Sequence, residues 1–368
     1  MPDVREFYDS ITREAPAQLD PLPRQRARQR RAVRNRKVGA FVLVAVIVLG
    51  IALISRMPGP GPQPVVPPDL EPIPELPAGT YRLNVRTGDA TQIATDEEGY
   101  GWARSPYPPY RYAYVTDGED GQSELMLQDL DGGGTVVPTA AGVGVPIWSP
   151  DGRYIAVTAG WGGPRDGDGP QIYVVDALTR EGTRITDDEV TGGFTWAPDG
   201  ESIYYSVVRT GDAIDQMAVA PRFPMVREVD LRFEAGEITG ASVSRDVVGE
   251  FGSPADLPSI APDGTTMVFV RTTSPTVEAL GRGVGSDRSL MFYDLEAHTV
   301  RELVPPKPGL ADPRWSPDGR TVSFKVDGDQ GWETWTVDVW TGQIDRVSLG
   351  CPVNWEDTDT VSIDVVHP

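Results

Sequence analysis

The stretch Trp315-Ser-Pro-Asp-Gly319, followed by the alternating run Thr321-Val-Ser-Phe-Lys-Val326, decides how this chain is read. It recurs as Trp148-Ser-Pro-Asp-Gly152 before Tyr154-Ile-Ala-Val-Thr158, as Trp196-Ala-Pro-Asp-Gly200 before Ser202-Ile-Tyr-Tyr-Ser-Val207, and as Ile260-Ala-Pro-Asp-Gly264 before Thr265-Thr-Met-Val-Phe-Val270. Proline presets φ for the second position of a tight turn, aspartate tolerates the third, and glycine supplies the positive φ that launches the return strand. Each copy therefore predicts a hairpin. Asp151, Asp199, Asp263 and Asp318, with Gly152, Gly200, Gly264 and Gly319, are turn residues. Trp148, Trp196 and Trp315 are periodic and belong to an inner strand, where they are expected to pack between units.

A second phrase follows in most units: an extended run, a polar turn and a shorter run, as in Ile172-Tyr-Val-Val-Asp176 to Thr183-Arg-Ile-Thr186. Each unit thus holds four strands. Successive Pro-Asp-Gly turns lie 48, 64 and 55 residues apart, from Pro150 to Pro198, Pro262 and Pro317. Those are blade-sized intervals. Weaker copies begin at Trp102 and Trp355, and the last has only its first two strands, Trp355 onward. Residues 80–95 carry the matching outer pair, so the two ends are expected to complete one blade and close the ring, which removes exposed sheet edges. Between 208 and 254 the outer strands cannot be placed from the pattern.

These phrases resemble the TolB-like (WD40-like, PD40) repeats of six-bladed bacterial β-propellers over residues 79–366. The fold expectation is all-β: a six-bladed β-propeller, TolB-like, with ring closure between N- and C-terminal strands and one transmembrane helix before it. What the resemblance implies about function is broad, because such rings serve as scaffolds, binding modules and accessory domains of enzymes.

Four segments are expected. Residues 1–37 form a basic leader. Residues 38–55, VGAFVLVAVIVLGIALIS, are uncharged over 18 residues and long enough to span a bilayer as a helix. Residues 56–78 are a proline-rich linker, with nine prolines between Pro58 and Pro77. Residues 79–368 are the propeller. Arg24, Arg26, Arg28, Arg30, Arg31, Arg34, Arg36 and Lys37 stand just before the apolar run, which predicts a single-pass cell-membrane protein with a cytoplasmic N-terminus and an extracytoplasmic propeller. Residues 1–56 sum to +6 (11 Lys+Arg, 5 Asp+Glu); the whole chain is −21, leaving −27 for residues 57–368. That balance excludes a nucleic-acid partner for the external part. Only three of the 33 basic residues are lysine, a usage that points to a high-GC genome such as an actinobacterium's. Asp3 and Glu6 form a helix-start pattern in residues 1–23, a segment that could dock a cytosolic partner as membrane-tethered anti-sigma factors do.

For chemistry the sequence is restrictive. The peptidases that carry such propellers need a Gly-x-Ser-x-Gly elbow and a histidine. The sequence holds no such elbow, and its histidines are His298 in a polar turn and the penultimate His367. A non-enzyme is therefore expected, without cofactor. Acidic tips follow the second strand of several units: Asp117, Glu119 and Asp120; Asp166 and Asp168; Asp327 and Asp329. With Trp161 and Trp332 they mark one rim as the expected binding surface for a protein, peptide or cell-envelope ligand. Oxygen-rich tips also suit Ca²⁺, and a hydrolase or lyase using rim carboxylates is the remaining alternative.

Overall fold

In the computed structural model the described residues are 76–95, 99–118, 121–137, 142–160, 169–210, 222–249, 253–272, 287–329 and 331–365. The expected helix at 38–55, the leader and the linker to residue 75 lie outside them. No helix among the described residues is long and apolar enough to cross a membrane.

The chain enters through β1 (Gly79–Asn84) and β2 (Ala90–Ala94), half of a blade finished only at the other end. Blade 2 is β3 (Tyr100–Arg104), β4 (Tyr110–Asp117), β5 (Ser123–Asp129) and β6 (Gly134–Val137). Blade 3 is β7 (Ile147–Trp148), β8 (Tyr154–Ala159), β9 (Gln171–Asp176) and β10 (Gly182–Arg184). Blade 4 is β11 (Val190–Trp196), β12 (Ser202–Thr210), β13 (Arg222–Glu234) and β14 (Glu237–Ala241), with β15 (Arg245–Val248) added beside β13. Blade 5 is β16 (Asp256–Ile260), β17 (Thr266–Thr272), β18 (Asp287–Asp294) and β19 (Thr299–Pro308). Blade 6 is β20 (Ala311–Trp315), β21 (Thr321–Gly328), β22 (Gly331–Asp338) and β23 (Ile344–Leu349). The chain ends in β24 (Cys351–Trp355) and β25 (Thr360–Val365).

Strand order β2-β1-β25-β24 makes blade 1 from both ends, with Gly79 opposite Val365 and Leu83 opposite Val361. The all-β six-bladed ring and its closure are as expected. The stretch that resisted reading, 208–254, holds the long β13 and the fifth strand of blade 4. β13 pairs β12 along nine positions and bears β14 and β15 on its other edge, so one strand does the work of two and no alternation marks the division.

The repeated turn is a ring of interlocking parts. Each glycine N–H donates to a carbonyl three residues back at 2.9 Å, from Gly152, Gly200, Gly264 and Gly319 to Ser149, Ala197, Ala261 and Ser316. The four glycines have φ of 67–69°, which a side chain would strain. Each of the last three also faces the proline of the turn before it: a Cβ on Gly200, Gly264 or Gly319 would stand 3.8, 3.8 or 3.6 Å from Pro150, Pro198 or Pro262.

The tryptophans join the blades. Trp148 Nε1 donates to the Ala103 carbonyl at 3.0 Å, Trp196 to Ile147 at 3.1 Å, Trp315 to Ser259 at 3.0 Å and Trp355 to Arg314 at 3.0 Å. In every case an inner-strand indole reaches the inner strand of the preceding blade. Trp102 does not repeat this; it stacks on Tyr114 at 3.9 Å and donates to Gly99. Ser105 N–H bonds Arg111 O as Ser149 N–H bonds Tyr154 O, so the residue equivalent to Trp148 is Arg104. Arg104 reaches the fully buried Glu356 of blade 1 at 3.3 Å, joined there by Arg82 at 2.7 Å. At blade 5, Ile260 occupies the tryptophan place.

The companion phrase has a similar mechanism. Asp176 accepts from Leu178 and Thr179 N–H and from Arg153 Nε, and Asp338 accepts from Trp340 and Thr341 N–H and from Arg320 Nε at 2.8 Å. The arginine after Pro-Asp-Gly thus ties the inner hairpin to the outer one.

Trp315→Phe is expected to lower unfolding stability by about 1–3 kcal/mol, because the Ser259 carbonyl loses its buried donor; urea unfolding measures it. Backbone donors to Asp338 and the Arg320 bond hold its carboxyl down to about 2, below the ordinary 3.8. Its stabilising contribution is complete above the ordinary value and is lost as pH falls toward 2. Melting scans should show a smaller loss of Tm between pH 5 and pH 2 for Asp338→Asn than for the wild type.

Candidate functional site

Six inner strands surround the axis of a propeller and line its channel. Antiparallel order places the Pro-Asp-Gly turns at one face and the loops after each second strand at the other. The inner strands start at that second face, and near their starts they bulge: register slips between Tyr100 and Ala103, Val190 and Phe194, Asp256 and Ser259, Ala311 and Arg314, and Pro352 and Asn354. The bulge residue five places before the turn proline is Gly101 in blade 2, with φ 68°. In blades 5 and 6 the same place holds Leu257 and Asp312, both at φ 51°. Side chains in this left-handed region are uncommon and are retained where surroundings over-determine them.

Around these two bulges charged groups gather at the channel mouth. Asp312 Oδ2 meets Lys325 Nζ at 2.7 Å, with side chains 30% and 20% exposed. Lys325 also lies 4.6 Å from the Trp332 ring centroid. Arg314 donates to the Val353 carbonyl of blade 1 at 3.3 Å and to Pro313 O at 3.1 Å. Asp256 accepts from Leu257 N–H at 2.8 Å, and its carboxylate fits because Gly192 of blade 4 has no side chain; a Cβ there would stand 2.2 Å from it. Arg288 sits on the same face of β18 as Leu290, which belongs to the core between blades 5 and 6.

The two carboxyls are pushed in opposite directions. Burial raises Asp256 above the ordinary carboxylate range, against the lowering effect of Ser206, Leu257 N–H and Arg288. Burial also acts to raise Asp312, but Lys325 and Arg314 outweigh it and its net shift is down. Burial likewise pushes Cys351, at the start of β24, up to about 11. Burial thus shifts Asp256 toward its acid form, while Lys325 and Arg314 shift Asp312 toward its ionised form.

The expected rim residues are distributed differently. Asp117 ends β4 in blade 2, whereas Asp327 and Asp329 belong to blade 6, so blade 1 separates them. Asp327 is the cross-strand partner of Trp332. Trp332 is therefore half-buried beneath the Lys325 ammonium, beside the mixed-charge mouth. Glu119, Asp120, Trp161, Asp166 and Asp168 lie outside the described residues. Among the described residues no group of three or more His, Cys, Asp or Glu is placed to hold a metal ion. A polar cleft of about 640 Å³ opens at the other face, between blades 6 and 1, but Arg86–Asp359 and Arg320–Asp338 pair across its lining.

Acidic residues concentrate at loop tips in the sequence, whereas Asp256 and Asp312 sit inside the inner strands, away from any turn. A signal existed: Ala255-Asp256 and Ala311-Asp312 precede their turn prolines by six and five residues, where other units carry Gly101, Gly144, Gly192 and Gly193.

The fold is that of TolB-like propellers. The TolB-type protein of Agrobacterium tumefaciens superposes with a TM-score of 0.56 at 17% identity, covering 80% of this chain and all of that one. The tricorn protease matches at 0.51 and 18%, covering 78% of this chain and 29% of that one. No known family model matches the chain. In sequence, a relative named an uncharacterized peptidase, YuxL of Bacillus subtilis, is 27% identical over 187 residues. The match takes in 49% of this chain and 21% of that protein, so the chain spans about a fifth of the curated relative. This overturns the expectation of a non-catalytic binding module and of a non-enzyme: the repeat pattern alone cannot separate scaffolds from peptidase rings, and the longer sequence match sides with the latter.

Proposed function

We propose that this protein takes part in peptide hydrolysis, with the channel mouth at blades 5 and 6 receiving the peptide. The observation that carries the reading is the 187-residue likeness to a protein named a peptidase. Geometry supports it in two ways. A closed ring admits an extended chain more readily than a folded domain. The mouth also offers Asp256 in a setting that favours its acid form and Asp312 in one that favours its ionised form. In that arrangement Asp312 accepts a proton from the water that attacks the amide carbonyl. Asp256 then gives its proton to the departing amine as the C–N bond breaks.

Digestion of a mixed peptide pool by the full chain, followed by mass spectrometry, tests this. Cleavage should fall by about 10²-fold or more on Asp312→Asn and on Asp256→Asn. A wild-type chain that leaves every peptide intact overturns the hydrolytic reading; cleavage unchanged by both substitutions moves the chemistry elsewhere. The apolar run 38–55 and its basic flank further support a single-pass anchor with the propeller outside the cytoplasm. An enzyme reporter fused after Pro368 that works only in the cytoplasm would refute that orientation.

A further inference from the structure

We infer that Arg288, with Arg314 and Lys325, forms a carboxylate-binding subsite at the channel mouth that takes the free C-terminal carboxylate of a peptide. This rests on the peptide reading above and names the end of the chain that the mouth would hold.

Arg288 is the unusual member. Its Nε is buried and has no hydrogen-bond partner among the described residues. A structural arginine in such a place is ordinarily held by a carboxylate, because an unpaired buried charge is costly. Both nearby carboxylates are otherwise engaged: Asp312 by Lys325 at 2.7 Å, Asp256 by the Leu257 N–H at 2.8 Å. Arg314 is likewise bonded to two backbone carbonyls. Arg288 therefore stands beside two carboxyls, Asp256 and Asp312, neither of which pairs with its Nε.

Burial shifts Asp256 toward its neutral form, which leaves less negative charge facing Arg288. A planar guanidinium matches a carboxylate with two parallel N–H donors. Trp332, against Lys325, gives an apolar wall for the residue that precedes such a carboxylate.

The test is calorimetric binding to the full chain of three probes: N-acetyl-tetraalanine as the free acid, the same peptide as its amide, and N-acetyl-Ala-Glu-Ala-amide. The free acid is expected to bind at least about tenfold more tightly than the amide, a preference lost in Arg288→Gln and partly kept in Arg288→Lys. Arg86→Gln, at the other face of blade 1, should leave it unchanged. Equal binding of acid and amide, or an unaltered preference in both Arg288 variants, overturns the subsite. Binding of the internal glutamate peptide alone overturns the C-terminal assignment. Because Arg288→Gln could lose its fold, melting temperatures accompany each titration, and Arg288→Lys then decides. Acid preference without cleavage keeps the subsite and removes hydrolysis; cleavage without acid preference does the reverse.

Discussion

A single contact between neighbouring blades organises this ring: the indole N–H of an inner-strand tryptophan donated to a main-chain carbonyl of the blade before it. Trp148, Trp196, Trp315 and Trp355 all make it at 3.0–3.1 Å. An indole N–H buried between blades would cost about 1–3 kcal/mol if left unpaired, so it is matched to a carbonyl of the neighbouring inner strand. The tryptophan supplies that donor together with a large apolar surface. Most core clusters accordingly join residues of two blades, as where Trp196 packs with Tyr154, Ile172 and Phe194.

The contact also explains where the ring departs from its own rule. At the seam between blades 1 and 2 the tryptophan is replaced by Arg104, and the link becomes a buried carboxylate, Glu356, shared by two arginines. At blade 5 it is replaced by Ile260. On that side of the ring the bulge carries Leu257, whose N–H is instead held by Ser206 Oγ of blade 4 at 2.9 Å. The channel-mouth charges collect next to this irregular stretch. Blades 2 and 4 put Gly101 and Gly193 at the bulge, with no side chain to offer a ligand there, whereas blades 5 and 6 put Asp256 and Asp312 at or beside it.

Much of this was readable in the residues. The turn phrase set the unit, its spacing set the count, and the orphan outer strands at residues 80–95 announced the closure. Trp102 lies two residues before the tryptophan position, which the hydrogen-bond frame assigns to Arg104. Blade 4 was illegible because β13 serves two ladders at once. The candidate site was less legible still. Acidic loop tips such as Asp117 and Asp329 stand out in sequence because turns favour aspartate, yet they lie on separate blades.

The repeat is legible in the residues alone, because Pro-Asp-Gly, the alternating strands after it and the indole before it are local or periodic, so their physics is written in neighbouring residues. The group at the channel mouth arises instead from packing between blades. Asp256, Arg288, Asp312, Arg314 and Lys325 span 70 positions and three kinds of strand. Charges act through space, and burial sets their strength. Packing blade 6 against blade 5 is what brings these five together and shifts one aspartate toward its acid form and the other toward its ionised form.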